Sequence, residues 1–182
     1  MTDQDRDKWD ARYMKDLGDS YPSAIVKKYW QLASGKNALD IACGNGRNSL
    51  FLAEKGFTVD AVDISTVAID HLTGRHSRIH AICQDIDTWN IAPHQYDLIV
   101  DIRFLDRRLF PMIKRGLKAG GVLIFESFIG REEEAYCLIQ NELLRVFQPL
   151  RIIFYEEKKS DHSEKFNQIA SLVAIKPGAT SL

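Results

Sequence analysis

Asp40, Gly44 and Gly46 stand in the run Leu39-Asp40-Ile41-Ala42-Cys43-Gly44-Asn45-Gly46-Arg47-Asn48-Ser49, where an apolar strand gives way to a glycine turn and then a helix. Glycines at such a turn permit tight backbone conformations and close approach of a ligand, and the helix N-terminus just beyond offers free amide donors. An acid also ends the next apolar run, Val59-Asp60-Ala61-Val62-Asp63-Ile64-Ser65. A carboxylate at that strand tip can accept hydrogen bonds from both hydroxyls of a ribose, which makes Asp63 the best single ligand candidate. Its competing role is to cap the following helix, for which Ser65 is better placed. A third run, Cys83-Gln84-Asp85-Ile86-Asp87-Thr88-Trp89, closes in acids as well. Asp85 suits an adenine amino group and Ile86 supplies an amide and apolar cover for the ring, while Asp87 reads as solvated and Trp89 as core or pocket wall.

Gly-x-Gly alone does not choose among nucleoside ligands. Here Ser49 takes the place of the third glycine of G-x-G-x-x-G, and Asp40 completes the pattern D-x-x-x-G-x-G. An acid in that position suits a ligand whose far end carries an ammonium and a carboxylate rather than a pyrophosphate, as S-adenosylmethionine does. The expected binding set from these three runs is Asp40, Ala42, Cys43, Gly44, Gly46, Asn48, Asp63, Ile64, Asp85 and Ile86. Arg103, just past the fourth apolar run in Asp101-Ile102-Arg103-Phe104-Leu105-Asp106, lies at the edge where open α/β sheets bind ligands. It suits a bidentate clamp on the donor's carboxylate; the plainer alternative is an ion pair with Asp101 or Asp106.

The elements that must position these residues follow from the alternation of short apolar runs with helix-like stretches, the pattern of βαβ units and a parallel sheet buried on both faces. Seven strands are expected, at Ala38 to Ala42, Thr58 to Ile64, Ile79 to Gln84, Asp97 to Ile102, Gly121 to Phe128, Leu150 to Tyr155 and Ala170 to Lys176. Apolar residues three and four apart predict helices over Asn48 to Glu54, Thr66 to Leu72, Asp106 to Leu117 and Asn141 to Phe147. Ser65 is the expected N-cap of the second, and Gly56 and Gly74 the stops of the first two. The polar stretch 156–167 has no helical period, so five parallel strands followed by an antiparallel hairpin is the expected α/β architecture, in one structural domain over 34–182. Residues 1–33 carry two helical patterns around Gly18 and Pro22 and are expected to cap the carboxyl edge of the sheet as a lid.

Composition excludes several alternatives. A chain of 182 residues with a formal net charge of −1 has no positive field to attract a phosphate backbone, so nucleic acid is a poor partner. Cys43, Cys83 and Cys137 are widely spaced and form no C-x-x-C pair, which argues against a disulfide framework or a zinc site and for a reducing compartment. His71, His76 and His80 cluster in sequence, but Gly74 interrupts their helix and no metal is expected. The charged opening residues are no signal peptide and no apolar run is long enough to span a bilayer, so a cytoplasmic protein without membrane contact, monomeric or homodimeric, is expected. Arg131-Glu132-Glu133-Glu134 reads as a solvated helix start.

The three runs in this order, one leading through Asp40 to the glycine turn and two ending in acids, resemble class I S-adenosylmethionine-dependent methyltransferases. Within that class, Leu39 to Asp63 is most similar to the tellurite-resistance-type enzymes. The likeness extends through Lys118-Ala119-Gly120-Gly121, Asn141 to Arg145 and Tyr155-Glu156-Glu157. One departure is Ala119, where the class usually has proline. Trp9-Asp10-Ala11-Arg12-Tyr13 is similar to the opening of thiopurine-type small methyltransferases, and that resemblance places Trp9, Arg12 and Tyr13 beside the donor; the alternative is an amphipathic helix docking by its aromatics.

The resemblance implies methyl transfer from S-adenosylmethionine, with S-adenosylhomocysteine as product, to a small acceptor such as an oxyanion or thiol. Short loops after strands four and five also favour a small acceptor. Transfer from a sulfonium needs mainly alignment, so a general base is optional and only Glu126 and Tyr21 offer themselves. The rival readings are a nicotinamide-dependent oxidoreductase and a non-catalytic S-adenosylmethionine binder.

Overall fold

The computed structural model describes residues 3–86, 88–130, 136–159 and 168–178. Asp87 and the Arg131 to Glu134 segment therefore lie outside the described residues. One seven-stranded sheet runs in the order β3-β2-β1-β4-β5-β7-β6. Its strands are β1 (Asn37–Ile41), β2 (Thr58–Asp63), β3 (Ile79–Cys83), β4 (Tyr96–Ile102), β5 (Leu117–Ile129), β6 (Arg151–Lys159) and β7 (Gln168–Ile175). β1 to β5 are parallel, and β7 runs antiparallel between β5 and β6. The expected parallel sheet with an antiparallel C-terminal hairpin is what the chain forms.

Alternation along the strands divides the core in two. Leu39, Ile41, Ile99, Leu123 and Phe125 point to the face covered by α5 (Leu109–Gly116) and α6 (Glu142–Phe147). Ala38, Leu98, Val100, Val122 and Ile124 point to the face covered by α2 (Ala24–Tyr29), α3 (Arg47–Glu54) and α4 (Thr66–Leu72). Because the central strands β1 and β4 are buried on both faces, their sequences are dominated by apolar residues, whereas β3, at the edge, buries none of its residues fully.

Local signals hold at several boundaries. Ser65 accepts a hydrogen bond from Ala68 N at 3.2 Å as the N-cap of α4, and Gly56 and Gly74 take φ of +88° and +76° just past α3 and α4. β5 begins earlier than its apolar residues suggest, because Leu117 pairs with Tyr96 and a register shift carries the strand through Gly120, at φ +77°. α5 begins later than expected: Asp106 accepts from the Arg108 backbone and guanidinium, holding a turn ahead of the helix.

Before β1 lies α1 (Asp3–Lys15), which buries no residue. Polar contacts hold it. Asp10 Oδ1 accepts from Ser65 Oγ at 2.5 Å and from Val67 N at 3.2 Å, so α1 supplies a second cap to the first turn of α4. Arg6 Nε donates to Ile64 O at 3.4 Å, and the following loop is pinned where Asn45 Nδ2 donates to Leu17 O and Asp19 O, both at 2.8 Å. No helix among the described residues is long and apolar enough to cross a membrane.

Candidate functional site

The carboxyl ends of β1, β2 and β4, roofed by α1 and the loop after it, enclose a cavity of about 450 Å³. Of the expected binding residues, Trp9, Arg12, Tyr13, Asp40, Ala42, Cys43, Gly44, Asn48, Asp63, Ile64, Ile86 and Arg103 line it. Gly46 does not: a methyl added there would meet Leu72 Cδ1 at 2.3 Å, so this glycine, at φ +78°, permits α3 and α4 to pack together. Asp85 also stays off the wall and caps a turn through its carbonyl, which accepts from Thr88 N and Trp89 N. Both candidate bases lie outside the cavity. Tyr21 is 79% exposed, and Glu126 accepts from Ser171 Oγ at 3.0 Å.

Asp63 is 6% exposed and already held by the backbone. Its Oδ2 accepts from Gly44 N at 2.8 Å and its Oδ1 from Ser65 N at 2.9 Å, which leaves further lone pairs on both oxygens for a diol. Burial raises its pKa, and the hydrogen bonds from Ser65, Gly44 and Ile64 oppose that rise. Asp40, 1% exposed on the α3 side, accepts from Ser49 Oγ at 2.5 Å. Thus Ser49, read from sequence as a missing glycine, is the partner of the acid. Burial lifts the Asp40 pKa to about 7 against the pull of Ser49 and Arg47. Burial also pushes the Cys43 thiol up, with Asp40 and Asp63 adding to it.

The roof is aromatic. Trp9 and Tyr13 stack with centroids 6.0 Å apart, Arg12 lies 5.2 Å over the Trp9 ring, and the Tyr13 hydroxyl approaches Gly44 so closely that a methyl there would sit 2.6 Å from it. Burial, with Asp63 and Cys43 nearby, raises the pKa of Tyr13 and keeps it neutral.

Asp16, Leu17, Gly18 and Asp19, from the segment expected as a lid, complete the wall with Phe104 and Phe128, from the stretches 103–106 and 126–136 expected to build the acceptor side; Asn45, Arg47 and Ile102 also line it and escaped the sequence reading. Asn45 inside the glycine turn was the one available signal, since its amide is what fastens the loop over the cavity. Arg47 Nη1 pairs with Asp19 at 3.3 Å. The alternative of an Arg103–Asp106 ion pair does not form, because Asp106 is taken by Arg108 at 2.6 Å. Among the described residues no group of His, Cys, Asp and Glu has the arrangement to hold a metal ion, and no disulfide joins Cys43, Cys83 or Cys137. His80 instead contacts Asp60 at 3.1 Å and His71 contacts Arg75 at 2.8 Å.

Residues 38–121 match the family described as "Methyltransferase domain". The chain is 31% identical over 117 residues to a ribosomal protein L11 methyltransferase of Campylobacter concisus, covering 60% of this chain and 40% of that one. It is 26% identical over 148 residues to the probable S-adenosyl-L-methionine-dependent methyltransferase TehB of Haemophilus influenzae, covering 72% and 51%. The crystal structure of H. influenzae TehB superposes with a TM-score of 0.75 at 22% identity, over 92% of this chain and 67% of that one. A Burkholderia thailandensis 1,6-didemethyltoxoflavin-N1-methyltransferase solved with S-adenosylhomocysteine shares the fold at a TM-score of 0.65 and 14% identity, over 96% and 83%. The chain spans about half the length, or less, of the curated relatives it matches.

Proposed function

We propose that the chain is a class I S-adenosylmethionine-dependent methyltransferase, a reading supported by the match of residues 38–121 and by the likeness to TehB, and that it moves the donor's methyl group to a small nucleophilic acceptor. One observation carries the reading: a single cavity gathers two buried acids, Asp40 and Asp63, the glycine turn at Gly44, and an aromatic roof, Trp9 and Tyr13. Asp63 would take the ribose, Ile86 the adenine face, and Asp40 with the Gly44 turn the amino-acid end. S-adenosylmethionine bound there supplies a methyl group already activated by its sulfonium. The protein's part is to align, to exclude water and to present negative and aromatic surface to a cationic ligand. With Glu126 and Tyr21 away from the cavity, no residue of the wall is assigned as a base. Two buried carboxyls oppose a pyrophosphate, which disfavours the nicotinamide reading. Residues 1–33 are proposed as the lid, and the acceptor as a small molecule rather than nucleic acid.

Calorimetry with four ligands tests this. S-adenosylmethionine and S-adenosylhomocysteine are expected to bind at micromolar strength, and NAD and NADP not at all. NAD binding without a response to S-adenosylmethionine would sink the assignment, and donor binding without product formed from any acceptor would leave a non-catalytic binder.

A pH dependence follows from Asp40. A cationic ligand draws this carboxyl to its charged form, so binding releases about half a proton at pH 7. Apparent donor affinity then rises about tenfold between pH 6 and 8. The same raised pKa means that the native state holds a proton which the unfolded chain has lost, so Asp40 makes stability fall as pH rises from about 4 to 7. Titrations in buffers of different ionisation enthalpy read the proton directly. Affinity that is flat with pH, or unchanged in its pH profile by Asp40→Asn, excludes this linkage.

A further inference from the structure

Arg103 is the residue in the cavity wall whose chemistry is unspent. It sits just past β4 with φ +62°, a left-handed backbone that a long side chain adopts only when its surroundings enforce it, as functional sites often do. The enforcing contact is its own N–H, which donates to Glu126 O on β5 at 2.6 Å. Its Nε is buried with no hydrogen-bond partner. The other two arginines of the wall differ: Arg47 pairs with Asp19, and Arg12 lies over Trp9. The guanidinium is half-buried, with Glu126 and Asp19 near enough to favour its charge, but a buried N–H left without a hydrogen bond is costly unless something arrives to meet it.

The sheet order tells what arrives. Asp63 ends β2, the Gly44 turn follows β1, Arg103 follows β4 and Phe128 lies on β5, in the spatial order β2-β1-β4-β5. Adjacent strands are about 4.8 Å apart, so Arg103 stands roughly 10 Å from the Asp63 strand and next to Phe104 and Phe128. The donor's amino-acid end is served nearer the β1 turn, by Asp40, the Gly44 backbone and Arg12. Arg103 and the two phenylalanines form the other end of the same cavity, a planar cation beside apolar walls.

Resting on the methyltransferase reading, we propose that Arg103 is the acceptor's anchor rather than the donor's. The acceptor class is a small organic acid, with a planar oxyanion such as a carboxylate on Arg103 and an apolar or aromatic body between Phe104 and Phe128. Two guanidinium hydrogen bonds lower the nucleophilicity of the oxyanion they hold, so the methylated atom is a separate group of the same molecule. Arg103 is therefore a specificity-determining residue.

The test uses binding, independent of turnover. Wild-type protein, free and saturated with S-adenosylhomocysteine, is titrated with benzoate and with its neutral counterpart benzyl alcohol. Benzoate is expected to bind the saturated protein at least about tenfold more tightly. Arg103→Asn, chosen because asparagine tolerates the left-handed backbone, should bring benzoate down to the level of benzyl alcohol. It should leave S-adenosylhomocysteine affinity within about twofold. Arg103→Lys should recover part of the preference, and melting curves verify that both variants fold. Equal binding of benzoate and benzyl alcohol by the wild type overturns the proposal. So does a loss of S-adenosylhomocysteine affinity in Arg103→Asn, which returns this side chain to the donor. Failure of the methyltransferase reading looks different: neither donor nor product binds, while benzoate binding to the free protein and its loss in Arg103→Asn still report the anchor.

Discussion

Asp63→Ala should lower S-adenosylmethionine affinity by about 2 to 4 kcal/mol, because the two charge-assisted hydrogen bonds proposed between this buried carboxylate and the ribose would be lost. A carboxyl at the rim of a crevice would be removable at little structural cost, but Asp63 is not at the rim. Gly44 N and Ser65 N both donate to it in the interior, and alanine leaves both without a partner. Orphaned buried amides cost about 1 to 3 kcal/mol, partly offset by relief of burying a carboxyl whose pKa burial raises. A drop in melting temperature of a few degrees is therefore expected together with the affinity loss. Asp63→Asn, which keeps one acceptor oxygen, should fall between. Calorimetry and melting curves measure the two effects separately; a folded Asp63→Ala protein with unchanged affinity would place ribose recognition elsewhere.

Removing residues 1–16 should weaken donor binding at least about tenfold and methyl transfer further still. The deletion takes away the stacked Trp9–Tyr13 pair that roofs the cavity, and aromatic faces are worth about 1 to 2 kcal/mol to a partly desolvated cation. It also opens the site to water. Asp10 leaves with them, which costs α4 its second cap, about 1 kcal/mol, but leaves the sheet intact. If the segment moves, Gly18, at φ +75°, and the Tyr21-Pro22 step are the natural hinge. Trypsin should then cut between Lys8 and Lys15 in the free protein and be held off by S-adenosylhomocysteine. Equal cleavage with and without the ligand, and full activity of the truncated protein, would make α1 mere packing.

The central parallel strands were legible because burial on both faces makes their sequences mostly apolar, and Ser65, Gly56 and Gly74 are local signals that read the same in isolation and in the fold. The cavity floor was legible for a related reason: an acid inside an apolar run, as Asp40 is, or at its end, as Asp63 is, has few structural uses, and both reach the wall. What sequence left out depends on contacts between distant segments. That Asp10 completes α4, that Ser49 serves Asp40, and that Asn45 holds the loop at Leu17 and Asp19 are pairings no period reveals. Gly46 shows the reverse case. The pattern that suggested a ligand is satisfied by Leu72 of a neighbouring helix.

The place of β7 has a bearing on how the chain is made. Among the described residues β6 pairs in the sheet with β7 alone, and β7 is the strand that covers the outer side of β5. As the chain leaves the ribosome, β1 to β5 can assemble with their helices while β6 emerges with nothing to pair with. The long edge of β5 stays bare until Gln168–Ile175 arrives. The incoming strand must slide in antiparallel between two segments that already exist, which makes it a late step built on contacts distant in sequence. During that interval β5 offers an apolar edge to any other nascent chain. The aggregation risk of this sheet is therefore concentrated in the interval before β7 is made and paired, and substitutions that slow the pairing of β7 should show as lost soluble yield before they show in the stability of the folded protein.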